Sequence, residues 1–144
     1  MKKLTILLVE DNEQDAFLIR EALDDQSFLH ELHHVVNGAE AMKFLRKEAP
    51  FENSNLPDLI LMDINMPIMD GHEALREIKS LEDFKQIPVL ILTTSSRKED
   101  ILKAYKEQSS SYIVKPDNIF ELDKLADSLK NYWINTVRLP NKNQ

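Results

Sequence analysis

Five short apolar segments alternate with amphipathic segments along this chain of 144 residues, and that alternation limits the possible fold more than any other feature. Four of the five are almost uninterrupted apolar runs, which is typical of strands covered on both faces of a parallel sheet. The second contains Glu31, His33 and His34, so its mixed polarity suits a strand nearer an edge. The predicted strands cover residues 5–9, 31–36, 59–62, 89–92 and 112–114.

The segments between the strands carry apolar residues at the three- and four-residue spacing of helices that bury one face. Helices are predicted over residues 15–23, 39–47, 72–81, 100–107 and 119–137. In chain order, their apolar faces are expected to consist of Phe17, Leu18, Ala22 and Leu23; Ala41, Met42 and Leu45; Leu75 and Ile78; Ile101, Leu102 and Tyr105; and Leu122, Leu125, Ala126, Leu129 and Trp133.

Five repeats of strand and helix predict an α/β fold with right-handed crossovers. Five parallel strands with helices on both faces suit a doubly wound, flavodoxin-like (βα)5 sheet of strand order 2-1-3-4-5. We expect a single domain over residues 1–144, with a core of about residues 4–130. The last helix should extend to about residue 138, and a short tail should follow at residues 139–144.

Composition excludes several classes of protein. The chain has no cysteine, so disulfides and thiolate metal sites are excluded. Its net charge of −7 argues against a nucleic-acid-binding surface, which would show as a basic patch. No apolar stretch approaches the roughly 18 residues of a membrane span. We therefore expect a cytoplasmic protein that binds neither nucleic acid nor membrane.

Polar side chains follow four of the predicted strands. Glu10 and Asp11 come after the first strand, Asp63 after the third, Thr93 after the fourth and Lys115 after the fifth. Ligands of open α/β sheets bind outside the carboxyl ends of the strands, and these four strands are neighbours in the proposed order. Three carboxylates repel one another unless a cation lies among them, and Mg²⁺ prefers oxygen ligands. A lysine and a hydroxyl remain to hold an anion, which predicts a phosphoryl-transfer site.

Each of these residues also has a simpler explanation. An acidic pair after a strand is commonly the start of a helix, where negative charge is favourable. Asp63 could be a turn residue, the hydroxyl run at Thr93 could only cap a helix, and Lys115 could belong to a surface turn. Their joint occurrence, each at the end of a strand and in the right order, favours the site.

Four motifs carry a resemblance to a known family. They are VEDN at residues 9–12, LMDINMPIMDG at 61–71, LTTS at 92–95 and YIVKP at 112–116. With these motifs the chain resembles, over nearly its whole length, the receiver domains of two-component signalling. The central motif around Asp63 is highly specific, and the steps from Asp63 to Thr93 and from Thr93 to Lys115 are those expected of that family.

The resemblance implies an acceptor and a metal site. Asp63 would be the nucleophile that takes a phosphoryl group from a histidine of a sensor kinase or of a phosphotransfer protein. Asp11 and Asp63 would bind Mg²⁺ directly, together with the backbone carbonyl of Asn65, and Glu10 would act through a bound water. Mn²⁺ would be a possible substitute for Mg²⁺.

The resemblance also implies a switch. Lys115 would pair with one phosphoryl oxygen and Thr93 would donate a hydrogen bond to another. Tyr112 would turn inward as Thr93 moves, which would alter the surface formed by the fourth helix, the fifth strand and the fifth helix. This makes the protein a signalling module that promotes only its own phosphorylation and dephosphorylation, not an enzyme with a separate substrate.

Three places in the loops of the family carry further expectations. Pro67 and Gly71 would shape the loop after the acceptor, where glycine tolerates positive φ and close backbone approach. The bond between Lys115 and Pro116 is expected to be cis. The family usually has a Gly-Ala-like pair before the fifth strand, but this chain has Gln108 and Ser109. The fourth helix must then end with a strained left-handed residue or by another route.

The C-terminal helix is longer than the receiver fold needs, and its end is apolar. Either Trp133 folds back on its own domain, or the end forms a homodimer contact through Tyr132, Trp133, Ile134 and Val137. Together with the long loop at 50–57, this ending resembles the small regulators associated with bacterial phytochrome-type kinases. A generic phosphorelay intermediate is the alternative. The loop itself is either a tolerated surface insertion or a partner contact through Phe51.

Two other functions share parts of this pattern. Haloacid-dehalogenase-type phosphatases also place an Asp nucleophile after a strand, but they need a second acid two residues later, where this chain has Asn65. A phosphorylation-independent scaffold of the same fold usually lacks the acceptor, the lysine or the acidic pair. This chain has all of them, so a stand-alone response regulator remains the main interpretation.

Overall fold

A five-stranded parallel sheet forms the centre of the computed structural model, which describes residues 3–28 and 30–140. Its neighbours follow the order β2-β1-β3-β4-β5, and every neighbouring pair is parallel. The flavodoxin-like order expected from the sequence is thereby confirmed. The strands are β1 (Leu4–Val9), β2 (His30–Val35), β3 (Leu59–Met62), β4 (Val89–Thr93) and β5 (Ser111–Val114).

A helix follows each strand. The helices are α1 (Glu13–Asp24), α2 (Gly38–Arg46), α3 (Gly71–Ser80), α4 (Lys98–Lys106) and α5 (Ile119–Leu129). Helices α1, α2, α3 and α5 begin after an Asn or Asp whose side chain accepts the amide N–H three residues on, which satisfies a donor that the helix leaves free. Among the described residues, no helix has the length and apolar character that a membrane span requires.

The sheet divides the core into two layers because successive strand residues point to opposite faces. In β1, Leu7 and Val9 pack with the cluster that contains α2 and α3, whereas Ile6 and Leu8 pack with α1 and α5. All four side chains are at most 2% exposed. Burying such a side chain stabilises a fold by about 1.5–3 kcal/mol, so the apolar strands provide much of the driving force for this architecture.

The expected apolar faces of α1 and α4 were partly wrong. In α1 the buried side is Ala16, Ile19, Ala22 and Leu23, and Phe17 is 58% exposed. In α4 only Ala104 is buried, and Leu102 and Tyr105 are largely exposed. Small alanine side chains allow a helix to approach the sheet closely, so they form the contact line and turn the larger neighbours outward.

Helix α4 ends without glycine, as the sequence indicated. Gln108 adopts a left-handed conformation with φ 75°, and the amide of the next residue, Ser109, donates to Ala104 O at 3.0 Å. This is the left-handed helix termination that usually takes glycine, which has no Cβ to strain there. The first of the two expected ways of ending α4 is therefore confirmed.

The C-terminal extension departs from the predicted continuous helix. After α5 the chain continues as a π-helical segment, Lys130–Ile134, with amides bonding to carbonyls five residues back, as in Asn135 N–H to Lys130 O. Trp133 is half-buried against the α1–α5 layer of its own domain, while Tyr132 stays 55% exposed. Trp133 therefore folds back on its own domain, and the exposed Tyr132 remains available for a homodimer contact. Residues 141–144 of the expected tail lie outside the described residues.

The 50–57 loop is also anchored on its own domain. The ring of Phe51 packs against Phe44 with centroids 5.3 Å apart, and Phe44 is buried in the α2–α3 layer. Phe51 therefore contributes to the core instead of forming a free contact for a partner.

The two glycines of the chain give a matched test of backbone packing. A Cβ on Gly71 would lie 2.1 Å from Asp63 O, whereas a Cβ on Gly38 would meet nothing closer than 2.8 Å. We expect Gly71→Ala to lower the free energy of unfolding by about 3 kcal/mol or more, because backbone must move to admit the methyl group. Gly38→Ala should lower it less. Urea unfolding measures both, and a Gly71→Ala protein as stable as Gly38→Ala would contradict the expectation.

Candidate functional site

Four strand ends bring the predicted site residues together at the carboxyl edge of the sheet. Glu10 and Asp11 follow β1, Asp63 follows β3, Thr93 ends β4 and Lys115 follows β5. One carboxylate oxygen from each of the three acids lies within 4.8 Å of the other two, so this group could hold a metal ion. Glu10, Asp63 and Thr93 are buried, and Asp11 is exposed. The convergence follows from the strand order, because β1, β3, β4 and β5 are neighbours.

Backbone hydrogen bonds continue past the strand ends and hold the acids in place. The amide of Glu10 donates to Val35 O and the amide of Asp63 donates to Val9 O, both at 3.0 Å. One oxygen of Asp63, Oδ1, accepts the amide N–H of Ile64 at 2.7 Å. The other oxygen, Oδ2, faces Lys115. Asp63 therefore has one oxygen held by its own loop and one directed at a cation.

Lys115 is the cation that balances this acidic group. Its ammonium group, on a side chain only 8% exposed, contacts the carboxylate of Glu10 and lies 3.3 Å from Asp63 Oδ2 and 2.9 Å from Asp15 Oδ2. Sequence reasoning missed Asp15. It follows Asn12, the residue before α1, by three positions and could be recognised only as part of a helix start.

Burial changes the titration of both partners in this group. Desolvation raises the pKa of Glu10 to about 7, and the nearby charge of Asp63 adds to the rise, although the hydrogen bond to Lys115 opposes it. Burial lowers the pKa of Lys115, but hydrogen bonds to Glu10 and Asp15 and the charge of Asp63 outweigh burial, so this pKa lies above its usual value. In the folded protein, burial and the neighbouring carboxylate therefore disfavour the ionised form of Glu10, whereas Lys115 stays charged.

Thr93 and Tyr112, the predicted switch pair, meet at Ser95. The fully buried Thr93 accepts the Ser95 amide through Oγ1 at 3.4 Å. The Tyr112 hydroxyl donates to Ser95 O at 2.9 Å, and the Tyr112 amide donates to the hydroxyl of Tyr105 on α4 at 3.1 Å. The loop after β4 therefore connects the site to both β5 and α4.

A second set of polar contacts connects the same loop to α3 and to both ends of α4. Ser95 Oγ donates to Asp100 Oδ2 at 2.6 Å, and His72 Nε2 lies 3.2 Å from Asp100 Oδ1. The hydrogen bond from Ser95 and the contact with His72 hold the pKa of Asp100 below its usual range. His72 Nδ1 lies 3.6 Å from Glu107 Oε1, and the other oxygen, Oε2, pairs with Arg76 at 3.2 Å. Sequence reasoning gave these contacts no role.

The loop after β3 has the close approach expected at Gly71 but not a positive φ there. The Gly71 amide donates to Ile64 O at 2.8 Å, and the space beside its Cα is filled by backbone. The left-handed residue is instead Ile68, with φ 70° and a side chain 83% exposed. Pro67 and Asn65 are exposed in the same loop.

The expectation of a cis bond between Lys115 and Pro116 is wrong. Within residues 3–28 and 30–140, the cis peptide bond is Ala49–Pro50. The two isomers of an X–Pro bond differ by only about 0.5–1 kcal/mol, so a Lys-Pro motif does not by itself determine which one forms.

The crowded carboxylates predict a measurable effect on stability. In protein stripped of divalent cations with a chelator, we expect Asp63→Asn to unfold at a temperature about 3 °C higher, because it removes a buried negative charge beside Glu10. Asparagine keeps an oxygen for the Ile64 amide. Asp123→Asn, an exposed change on α5, is the control and should have no effect. A melting temperature for Asp63→Asn at or below that of the unchanged protein would contradict the expectation.

Comparison with known proteins agrees with this geometry. The family model for the response regulator receiver domain matches residues 6–128. Response regulator Rcp1 of Synechocystis sp. is 42% identical over 135 residues, which is 94% of this chain and 92% of Rcp1.

Solved structures agree as well. The phosphorylated cyanobacterial phytochrome response regulator RcpA superimposes with a TM-score of 0.92 at 41% identity, covering 97% of this chain and 100% of RcpA. The Mn²⁺-bound form of Rcp1 superimposes with a TM-score of 0.89 at 41% identity, covering 95% of this chain and 99% of Rcp1. With its fold, its acidic group and these relatives, the chain belongs to the response regulator receiver domain family.

Proposed function

We propose that this receiver domain accepts a phosphoryl group on Asp63, in a reaction that requires Mg²⁺. The donor would be a phosphohistidine of a sensor kinase or of a phosphotransfer protein. The observation that carries the proposal is the environment of one carboxylate. Asp63 has two further acids within 4.8 Å and a buried ammonium group 3.3 Å from its free oxygen.

The acidic group fits a magnesium ion. Mg²⁺ takes oxygen ligands at about 2.0–2.1 Å, so two ligands of one ion lie up to about 4.2 Å apart, and carboxylates within 4.8 Å need only a small adjustment. Asp11 and Asp63 would hold it directly with the backbone carbonyl of Asn65, and Glu10 would act through a water. Bound there, the ion supplies positive charge that offsets the repulsion among the acids and on the transferred group. Mn²⁺ could replace it, since the similar Rcp1 was solved in a Mn²⁺-bound form.

The transfer itself needs little from the protein beyond position and charge. An Asp63 oxygen attacks phosphorus in line, the bond from phosphorus to the histidine nitrogen breaks, and its electron pair stays on the imidazole. Lys115 neutralises charge on the phosphoryl oxygens. Thr93 accepts a bond from the Ser95 amide, which leaves its hydroxyl hydrogen to donate to the new group. Receiver domains are signalling domains, and we propose no turnover of a separate substrate here.

The output is proposed to pass through Ser95. If the Thr93 hydroxyl turns to the phosphoryl group, the Ser95 contacts to Tyr112 and to Asp100 of α4 change with it. The surface that would then be altered includes the exposed Leu102 of α4. This supports the α4–β5–α5 face as the signalling surface of a phosphorylation-dependent switch.

The class of sensor kinase is proposed from the similarity of this chain to known response regulators. The similarity to RcpA and Rcp1 favours a phytochrome-type sensor kinase over a generic phosphorelay. We propose a cytoplasmic location, where a sensor kinase or phosphotransfer protein would meet this receiver, and the net charge of −7 argues against bound nucleic acid.

Incubation with acetyl phosphate and Mg²⁺ tests the acceptor. We expect intact mass spectrometry to show the addition of one phosphoryl group, its loss in Asp63→Asn, and its retention in Asp123→Asn. A chelator should prevent the addition. Unchanged addition in Asp63→Asn would refute the assignment, and steady hydrolysis of phosphate esters would favour a phosphatase.

We further propose a homodimer through the C-terminal segment. Tyr132 is exposed beside a groove of about 400 Å³ at the amino end of β5, which is lined by Ile113, Leu125 and Trp133 among others. Ile134 and Val137, also expected at this contact, are half-buried. An exposed tyrosine next to an apolar groove is typical of a contact surface.

Sedimentation tests the dimer. We expect Tyr132→Ser to shift the protein from dimer to monomer at micromolar concentration. Ile68→Ser, which removes another exposed apolar side chain at the opposite end of the sheet, should leave the dimer intact. An unchanged sedimentation coefficient for Tyr132→Ser would exclude this contact.

A further inference from the structure

Lys115 is surrounded by carboxylates in the unmodified protein. An ammonium group has three donors and no acceptor, and three carboxylates surround this one: Glu10, Asp63 and Asp15. A phosphoryl group on Asp63 brings new acceptor oxygens and roughly −1.5 to −2 charges, by analogy with phosphoserine. The phosphoryl group replaces the Asp63 carboxylate as a partner of Lys115, and its larger charge and additional oxygens draw the ammonium group away from Glu10 or Asp15.

Of Glu10 and Asp15, Asp15 is the partner whose release costs less. Its side chain is 36% exposed, compared with 1% for Glu10. A partly exposed carboxylate regains water when its ion pair opens, whereas a buried carboxylate loses its only compensation. The side chains of Glu10 and Asp63 are also those that would serve the metal ion.

The backbone of Asp15 is held by the start of α1. The residue lies in the first turn of α1, where its amide donates to Asn12 Oδ1 at 2.8 Å. Its carboxylate lies beside a small cleft lined by Leu18, Pro116 and Leu122. Its position is therefore set by the helix, and its bond to Lys115 is made across 100 residues of chain.

We propose that Asp15 is a positioning residue that holds Lys115 in the unmodified receiver and competes with the phosphoryl group for it. The proposal rests on the proposed function, since it concerns the same lysine and the same acceptor. Through this competition Asp15 lowers the affinity of the site for a phosphoryl group and so sets how readily the switch turns on.

The test compares Asp15→Asn with Glu13→Gln by nuclear magnetic resonance. Both changes remove one negative charge from the first turn of α1, but only Asp15 contacts Lys115. At saturating Mg²⁺, Asp15→Asn should bind beryllofluoride, a phosphoryl mimic, about two- to fivefold more tightly than the unchanged protein, the range expected for losing a partly exposed ion pair. Glu13→Gln should bind it as the unchanged protein does, and Asp15→Glu, which restores the charge, should return towards that value.

Two further measurements separate positioning from structural damage. Mg²⁺ alone should bind Asp15→Asn no more tightly than the unchanged protein, because the freed lysine then pairs more fully with Glu10 and Asp63. In metal-free protein the ammonium nitrogen signal of Lys115 should shift in Asp15→Asn and not in Glu13→Gln. General distortion would weaken the binding of both the ion and the mimic.

The outcomes distinguish this inference from the function beneath it. If the unchanged protein binds beryllofluoride but Asp15→Asn binds it no more tightly than Glu13→Gln, the role of Asp15 is refuted and the acceptor assignment stands. If the unchanged protein neither binds the mimic with Mg²⁺ nor gains mass from acetyl phosphate, the proposed function fails and this inference fails with it.

Discussion

The ion-pair group around Lys115 is the interaction on which the site depends. Acids from two strand ends and one helix share a single buried ammonium group. Without the lysine, Glu10 and Asp63 would be buried anions with no positive partner among the described side chains, an arrangement that costs several kcal/mol. The sheet order makes the group possible because it places β5 beside β4 and within reach of β1 and β3. The strand order of the fold therefore determines that the lysine and the acids lie close enough to balance their charges.

This balance leaves the unmodified protein short of its most stable arrangement. One lysine faces three carboxylates, and burial raises the pKa of Glu10, with the charge of Asp63 adding to the rise. Sites that bind an ion or a reactive group commonly keep such unfavourable charge, since removing it would also remove the function. The extended apolar layers on both faces of the sheet supply the stability that tolerates it.

The sequence predicted the features that follow from the spacing of apolar residues and from the rule that ligands bind at the carboxyl ends of parallel strands. It did not predict which side chains of a helix pack against the sheet. Strand β3 was predicted with its observed bounds because a short continuous apolar run is typical of a buried parallel strand. Asp63 and Lys115 were predicted to lie close together because each follows the carboxyl end of a strand. Phe17 was assigned to the wrong side because helical spacing does not specify which stripe meets the sheet. Asp15 was missed because a contact across 100 residues leaves no local pattern.

The contacts of His72 have a consequence for how the receiver would transmit its signal. This buried side chain lies near Asp100 at one end of α4 and near Glu107 just past the other end. Arg76 of α3 donates a hydrogen bond to Glu107 at 3.2 Å, so α3 contacts α4 at both ends. A displacement of Ser95 would then shift α4 as a unit against α3 instead of unfolding its first turn. A binding partner would then read a change of helix position on an otherwise ordered surface.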